Sequence, residues 1–318
     1  MHTDMNITLE KLGFVYKPAG DKTWGLTHAQ VPFPLEVNPG SIRVFFATRD
    51  AQSRSSVAFV DVDKNDPRKV VYVHDKPCFS HGEPGTFDDS GTMPSWFIQR
   101  NGIIWLYYTG WNKSDTASYR LAIGVATSDD GGLNFTRRYE GPLLDRDILD
   151  PVWVGQPCVL EENEMFRMWY LSCEKIKSVH GRPEPFYNVK YAETRNALIW
   201  TRHRVPCIPF DANTDAIGRP CVWKHNDVYY MLHSNRRADG YRDNADAAYR
   251  IELSSSADGL TWKPVKGFHF PKSAEGWDSI MNEYAAVLPY GENKYLLFYN
   301  GNGFGQSGFG AAVLTFAD

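Results

Sequence analysis

The sequence has no run of about 18 apolar residues, so it carries no helical membrane span. It also has no excess of positive charge. The formal charge is -4 and the pI about 6.1, unlike the basic footprint of a general nucleic-acid binder. No CxxC or HExxH motif occurs. Cysteine is scarce: Cys78, Cys158, Cys173, Cys207 and Cys221. An odd number, several inside apolar strand-like runs, reads as buried reduced thiols rather than disulfides or a metal centre. The opening MHTDMNITLEKLGFVYKPAG lacks a basic stretch followed by a continuous apolar one, so no signal peptide is visible and a cytoplasmic location is expected. No segment reads as a helix longer than a turn or two. With 42% hydrophobic and 14% aromatic residues, disordered and collagen-like chains are excluded.

What the sequence does have is a repeat. An apolar strand, a tight turn and an aromatic strand ending in small polar residues recur at VPFPLEVNPGSIRVFFATR, MPSWFIQRNGIIWLYYTGW, QPCVLEENEMFRMWYLSCE, RPCVWKHNDVYYMLHSN and EYAAVLPYGENKYLLFYNGN. These begin at residues 31, 93, 156, 219 and 283, a period of about 63 residues. A second hairpin follows, with a turn rich in Asp, Gly or Asn and an aromatic on the next strand: Phe135, Trp200 and Trp262. Each period therefore holds four antiparallel strands, the blade of a β-propeller, and five periods fill the 318 residues. The fifth unit is one strand short. The segment Lys11–Lys17 has no other place and is expected to complete it, closing a single all-β, five-bladed domain over residues 1–318.

In such a ring the first strand of each blade lines a central channel, and its mouth forms a pocket. The repeated first position holds Val31, Met93, Gln156, Arg219 and Glu283. The loops before it add Asp88, Asp89, Asp150, Asp215 and Asp278, and the first unit offers Trp24, His28 and Gln30. The second strand ends in Arg49, Trp111, Glu174, Asn235 and Asn302. Carboxylates, arginines, amides and tryptophans around one axis suit carbohydrate chemistry. Glycosidic cleavage needs two carboxyl groups, one a proton donor of raised pKa. The expected catalytic set is Glu283, Asp150, Asp89 and Asp88. The expected binding set is Arg219, Gln156, Asp215, Arg49, His28, Glu174 and Asn235, with Trp24 and Trp111 as stacking platforms. Trp105, Trp169, Trp200, Trp223 and Trp262 fall at repeated positions and are assigned to the core.

The tracts 173–188 and 233–250 read as long loops whose Lys175, His180, Arg182, Arg236, Arg237 and Arg242 form a basic rim suited to a phosphorylated or carboxylated substrate. The segments SDDGGLNF and SADGLTW resemble sialidase-type Asp-box turns and are assigned a structural role, with Asp129, Asp130 and Asp258 in the turns. No cofactor is expected, although acids and a His around an axis could hold Ca²⁺.

With the blade pattern and motifs such as YYTGW (107–111) and SSADGLTW (255–262), nearly the whole chain resembles five-bladed propeller carbohydrate-active enzymes: arabinanases, β-xylosidases, invertase-like fructosidases and mannoside phosphorylases. The resemblance implies glycosyl cleavage or transfer on a small glycoside or oligosaccharide, by hydrolysis or phosphorolysis. Two other readings use the same pocket: a sugar-nucleotide or glycan-biosynthesis enzyme, and a non-catalytic sugar-binding propeller. The expected partner is a small carbohydrate or sugar phosphate, with neither nucleic acid nor membrane; the oligomeric state is left open.

Overall fold

The computed structural model describes residues 6–317. Residues 1–5, the start of the stretch read above for a signal peptide, and residue 318 lie outside the described residues. The described residues form twenty strands and no helix. In chain order they are β1 (Asn6–Tyr16), β2 (Thr27–Asn38), β3 (Ser41–Arg49), β4 (Ser55–Asp63), β5 (Val70–Val73), β6 (Gly91–Arg100), β7 (Ile103–Ser114), β8 (Ser118–Ser128), β9 (Thr136–Arg137) and β10 (Trp153–Glu162). They continue as β11 (Met165–Val179), β12 (Arg182–Thr194), β13 (Thr201–Arg202), β14 (Ala216–His225), β15 (Val228–Arg236), β16 (Arg250–Ser256), β17 (Lys263–Pro264), β18 (Glu283–Pro289), β19 (Lys294–Asn300) and β20 (Phe309–Ala317).

Hydrogen bonding groups them into antiparallel meanders: β2 to β5, β6 to β9, β10 to β13, β14 to β17, and β18 to β20 with β1 added outside β20. The segment that the repeat left over is therefore the outer strand of the last sheet, with Phe14 opposite Gly310. Single parallel bridges, Ser55 to Gly91 and Tyr187 to Ala216, join neighbouring meanders. The first strands pack side by side: β2 on β6, β6 on β10, β10 on β14, β14 on β18, and β18 back on β2.

The local sequence explains the hairpins. Asn101–Gly102, Asn163–Glu164 and Asn226–Asp227 each supply two consecutive residues of positive φ, the geometry that a two-residue turn needs to match strand twist. The Asp-box-like turns are built by side-chain acceptors. Asp130 Oδ1 accepts the Leu133 and Asn134 amides, and Asp258 Oδ1 accepts those of Leu260 and Thr261. Asn196 does the same for Leu198 and Ile199 in the third unit. Trp169, Trp223 and Trp262 are buried, and Trp105 and Trp200 pack against the same core. All five cysteines are free and buried.

One expectation fails. The tract 173–188 is not a loop but the continuation of β11 and β12, which run on past the neighbouring hairpins to the turn His180–Gly181, both at positive φ. Its alternating residues pair across the two strands from Lys175 opposite Phe186 to Val179 opposite Arg182. The tract 233–250 is a loop only beyond Arg236, where β15 ends.

Candidate functional site

The first strand of most meanders is interrupted by a bulge, and the bulged residue takes a left-handed conformation: Val31 (φ 50), Gln156 (φ 45), Arg219 (φ 51) and Tyr284 (φ 58). For non-glycine residues this is strained backbone, and it is held from outside. Asn300 Oδ1 accepts the Val31 amide at 2.7 Å, Thr109 Oγ1 that of Gln156 at 2.7 Å, and Ser234 Oγ that of Tyr284 at 2.8 Å. The Arg219 amide donates to Gln156 Oε1 at 2.9 Å. Bulges re-aim side chains, and these four lie where the first strands converge.

A pocket of about 680 Å³ opens there. Gln30, Arg49, Trp111, Gln156 and Tyr284 line it from the inner and second strands, and Tyr187, Arg236, Tyr241, Arg242 and Tyr249 from the third and fourth units. Arg236 is 1% exposed. Its Nε donates to Tyr249 Oη at 3.2 Å, Nη1 to the Arg237 carbonyl at 3.0 Å and Nη2 to the Pro185 carbonyl at 3.1 Å. The Tyr187 and Tyr249 hydroxyls are bonded to each other. Glu184, on the β11–β12 extension, is buried and accepts from the Tyr241 hydroxyl at 3.0 Å and Arg242 Nη1 at 2.5 Å, tying the wall together. Of the basic rim expected from sequence, Arg236 and Arg242 reach the pocket.

The expected carboxylates lie elsewhere. Asp88 and Asp150, two of the expected catalytic acids, are buried and do not line the pocket. Asp88 accepts from the Tyr108 hydroxyl at 3.0 Å and from Arg137 at 2.7 and 2.9 Å. Asp150 accepts from Tyr170 at 3.0 Å, Ser172 at 2.6 Å, Lys190 at 3.1 Å and Arg202 at 2.9 Å. Asp278 repeats the pattern with Tyr299 at 2.9 Å and an ion pair to Lys11. In three units, then, an Asp before the first strand is clamped by a Tyr on the second strand and by cations from outer strands. Burial raises the Asp150 pKa, but Ser172, Lys190 and Arg202 outweigh it and hold the carboxyl below its usual range. That is the wrong direction for a proton donor. Carboxylates facing lysine and arginine are equally poor Ca²⁺ ligands, and the described residues contain no cluster of three His, Cys, Asp or Glu suited to a metal.

Other residues also depart from expectation. Asp89 accepts the Gly85 amide and the Ser90 hydroxyl within its own loop, and Asp215 ties the loop before β14 to the one after β15 by accepting the Ala238 amide. Trp24 lines a separate notch of about 330 Å³ with Tyr16 and His74. His28 does not line the pocket; burial and the Arg49 charge lower its pKa to about 4. Arg219 is buried and does not line the pocket; its Nη1 donates to the Pro94 carbonyl of β6 at 3.1 Å. Gln156, Arg49 and Trp111 line the pocket as expected.

Glu174 and Asn235 miss by one residue. Strand pairing sets Thr27 opposite Arg49, Gly91 opposite Trp111, Trp153 opposite Cys173 and Ala216 opposite Arg236. The residues equivalent to Arg49 and Trp111 are therefore Cys173 and Arg236. Because strand side chains alternate, a slip of one reverses the face. Glu174 accepts from Asn188 at 2.6 Å, and Asn235 pairs with His233 at 2.8 Å, away from the pocket.

Glu283 is displaced in the same way. It pairs with Asn300 as Gly218 pairs with Ser234 and Gly155 with Leu171, so Tyr284 is the counterpart of Arg219 and Gln156. Glu283 is fully buried behind the lining, and neither carboxyl oxygen has a well-formed hydrogen bond. Burial pushes its pKa well above the carboxylate range, and the Tyr284 side chain and the Arg236 charge offset only part of this.

No family model matches the sequence. Among solved structures the chain is similar to a glycoside hydrolase (TM-score 0.73, 15% identity, 97% of this chain and 92% of that one). It is also similar to a thermostable family-43 glycoside hydrolase (TM-score 0.64, 17% identity, 93% and 90%). A third likeness, to the GH32 β-fructofuranosidase of Bombyx mori (TM-score 0.58, 15% identity), covers 90% of this chain and 61% of that one. The resemblance to propeller carbohydrate-active enzymes is thus one of fold. At the level of sequence, the uncharacterized proteins MT1551 and Rv1502 of two Mycobacterium tuberculosis strains are 34% and 33% identical over 306 residues, 96% of this chain and 98% of each relative, and the chain belongs to their family.

Proposed function

We propose that the five meanders are the blades of a five-bladed propeller and that the protein is a carbohydrate-active enzyme acting on a saccharide in the axial pocket. The observation that carries this reading is the pocket itself: about 680 Å³ at the convergence of the first strands, with Trp111 and a group of tyrosines beside the amides of Gln30 and Gln156. The volume suits one or two sugar rings, with aromatic faces for CH surfaces and fixed donors for hydroxyls. The similarity of fold to glycoside hydrolases supports the same reading.

Within it, Glu283 is the proton donor. It lies behind Tyr284 and within electrostatic reach of Tyr249 and Arg236, and burial raises its pKa and so favours the protonated form that a general acid needs. Tyr284, which lines the pocket and whose side chain interacts with the Glu283 carboxyl, stands between that carboxyl and a bound saccharide. The test is a product screen by mass spectrometry over glycosides and nucleotide sugars, followed by Glu283→Gln. Loss of turnover in a folded variant is expected; full activity would remove Glu283 from the mechanism.

One observation favours a second reading. No pair of carboxylates lines the pocket, since Asp88 and Asp150 are clamped elsewhere. A sugar-binding propeller without catalysis needs no such pair. It is distinguished by saturable saccharide binding with no product from any substrate in the screen.

A further inference from the structure

Arginines that are wholly or partly withdrawn from solvent in this molecule are generally matched by carboxylates. The buried Arg43 pairs with Asp61 at 2.8 Å, and the partly buried Arg137 pairs with Asp88 at 2.7 Å, Arg202 with Asp150 at 2.9 Å and Arg167 with Glu162 at 3.5 Å. Desolvating a guanidinium is costly unless an anion or full hydrogen bonding compensates it, so this matching is the expected arrangement. Among the described residues, Arg49 and Arg236 depart from it, and both line the axial pocket. Arg49 Nε and Nη2 both donate to one neutral oxygen, Gln30 Oε1, at 3.3 and 3.0 Å. Arg236 donates only to a phenol and two carbonyls, and its guanidinium lies over the Tyr241 ring at 3.9 Å. Arg219 is a third cation without a carboxylate, its Nη2 lacking a hydrogen-bond partner. The negative charge of the lining is one exposed residue, Asp115. Positive charge held rigidly at a concave, aromatic-walled site is an arrangement that recognises an anion, because planar guanidinium groups match carboxylate and phosphate oxygens.

We propose that the saccharide taken by this pocket carries an anionic oxygen group, a carboxylate or a phosphate, seated against Arg49 and Arg236. This rests on the reading of the pocket as a saccharide site and adds the charge class of the ligand. A neutral sugar would leave both guanidiniums without a counterion in the complex as well.

The test is isothermal titration calorimetry with D-glucuronate, N-acetylneuraminate and D-glucose 6-phosphate, against methyl D-glucoside, xylobiose and sucrose. At least one charged sugar is expected to bind tenfold or more tighter than every neutral one. Whether the uronate, the neuraminate or the phosphate leads identifies the anion. Arg49→Gln is expected to abolish that preference while leaving the thermal midpoint near wild type. Arg236→Met should do the same where it folds, and Arg49→Gln decides the matter where it does not. Neutral sugars binding as tightly as charged ones, or a charge preference that survives Arg49→Gln, overturns the inference and leaves the saccharide reading standing. Binding of no sugar in either group overturns both. Charged sugars bound but never converted support the inference and count against the enzyme.

Discussion

Asp150 and Arg236 are both buried charges on the same propeller-like scaffold, and they are treated in opposite ways. Asp150 receives hydrogen bonds from Tyr170, Ser172, Lys190 and Arg202. Arg236 receives no carboxylate and lies in a cage of phenol rings and carbonyls. The first is a fastener: it ties the loop before a first strand to the second and outer strands, and Asp88 and Asp278 repeat it in two other units. The second leaves its charge facing a cavity. Where buried charge is fully matched, the residue belongs to the framework; the unmatched Arg49 and Arg236 line the pocket, and the unmatched Arg219 and Glu283 are buried beside lining residues.

The largest effect should come from cutting a fastener. Asp150→Ala leaves Lys190 without its carboxylate and Arg202 with Asp147 alone, at a cost of about 3–5 kcal/mol in urea unfolding. An equal loss from Arg236→Met would erase the contrast between the two regions. The pH dependence sharpens it. The lowered pKa of Asp150 contributes stability that is present above its unfolded value near 3.9 and is lost as the pH falls through the folded value. Glu283 has the opposite sign. Its raised pKa costs the native state about 1.4 kcal/mol per pH unit from roughly pH 4.3 up to the folded value. Glu283→Gln should therefore gain on wild type in chemical denaturation as the pH rises above that point, whereas a constant difference would mean that the carboxyl is not held protonated. Next, Trp111→Ala should weaken saccharide binding roughly tenfold, on the order of 1.4 kcal/mol, while Trp24→Ala, in its separate notch, leaves affinity unchanged. The smallest effect should follow Asp258→Ala, which removes one turn acceptor at a cost of roughly 1 kcal/mol and leaves ligand affinity as it was.

Much of the strand pattern was legible because each unit repeats its turn chemistry: Asn101–Gly102, Asn163–Glu164 and Asn226–Asp227 announce hairpins with no knowledge of their neighbours. The leftover strand near Phe14 could be placed by counting. The pocket was harder, and for a definite reason. Side-chain direction alternates with each residue, so a repeat aligned to within one position finds the right strand and the wrong face. Asn235 stood in for Arg236, Glu174 for Cys173 and Glu283 for Tyr284. The bulges that set these offsets leave no sequence mark of their own; Val31 and Gln156 look like ordinary strand residues. The clamped aspartates misled for another reason. Sequence shows an acid near the axis but not the tyrosine about twenty residues later that holds it (Tyr108 for Asp88, Tyr170 for Asp150, Tyr299 for Asp278). Tyr187, Tyr241, Tyr249 and Tyr284 were missed as lining residues. Gln156, Arg49 and Trp111 were legible, and so was the basic tract around Arg236, which the charge count of the loop did disclose.

The pairing of β1 with β20 also bears on how the molecule is made. Among the described strands β1 is synthesised first, yet its sheet neighbour there is β20, the last of them to leave the ribosome. The intervening meanders can form from local contacts as they emerge, but the last sheet joins segments separated by nearly the whole chain, the kind of contact that slows folding. Until then Phe14 and its neighbours present an unpaired edge able to recruit a strand from another nascent chain. Closure of this sheet therefore waits for the last of the described strands, unlike that of the four meanders before it.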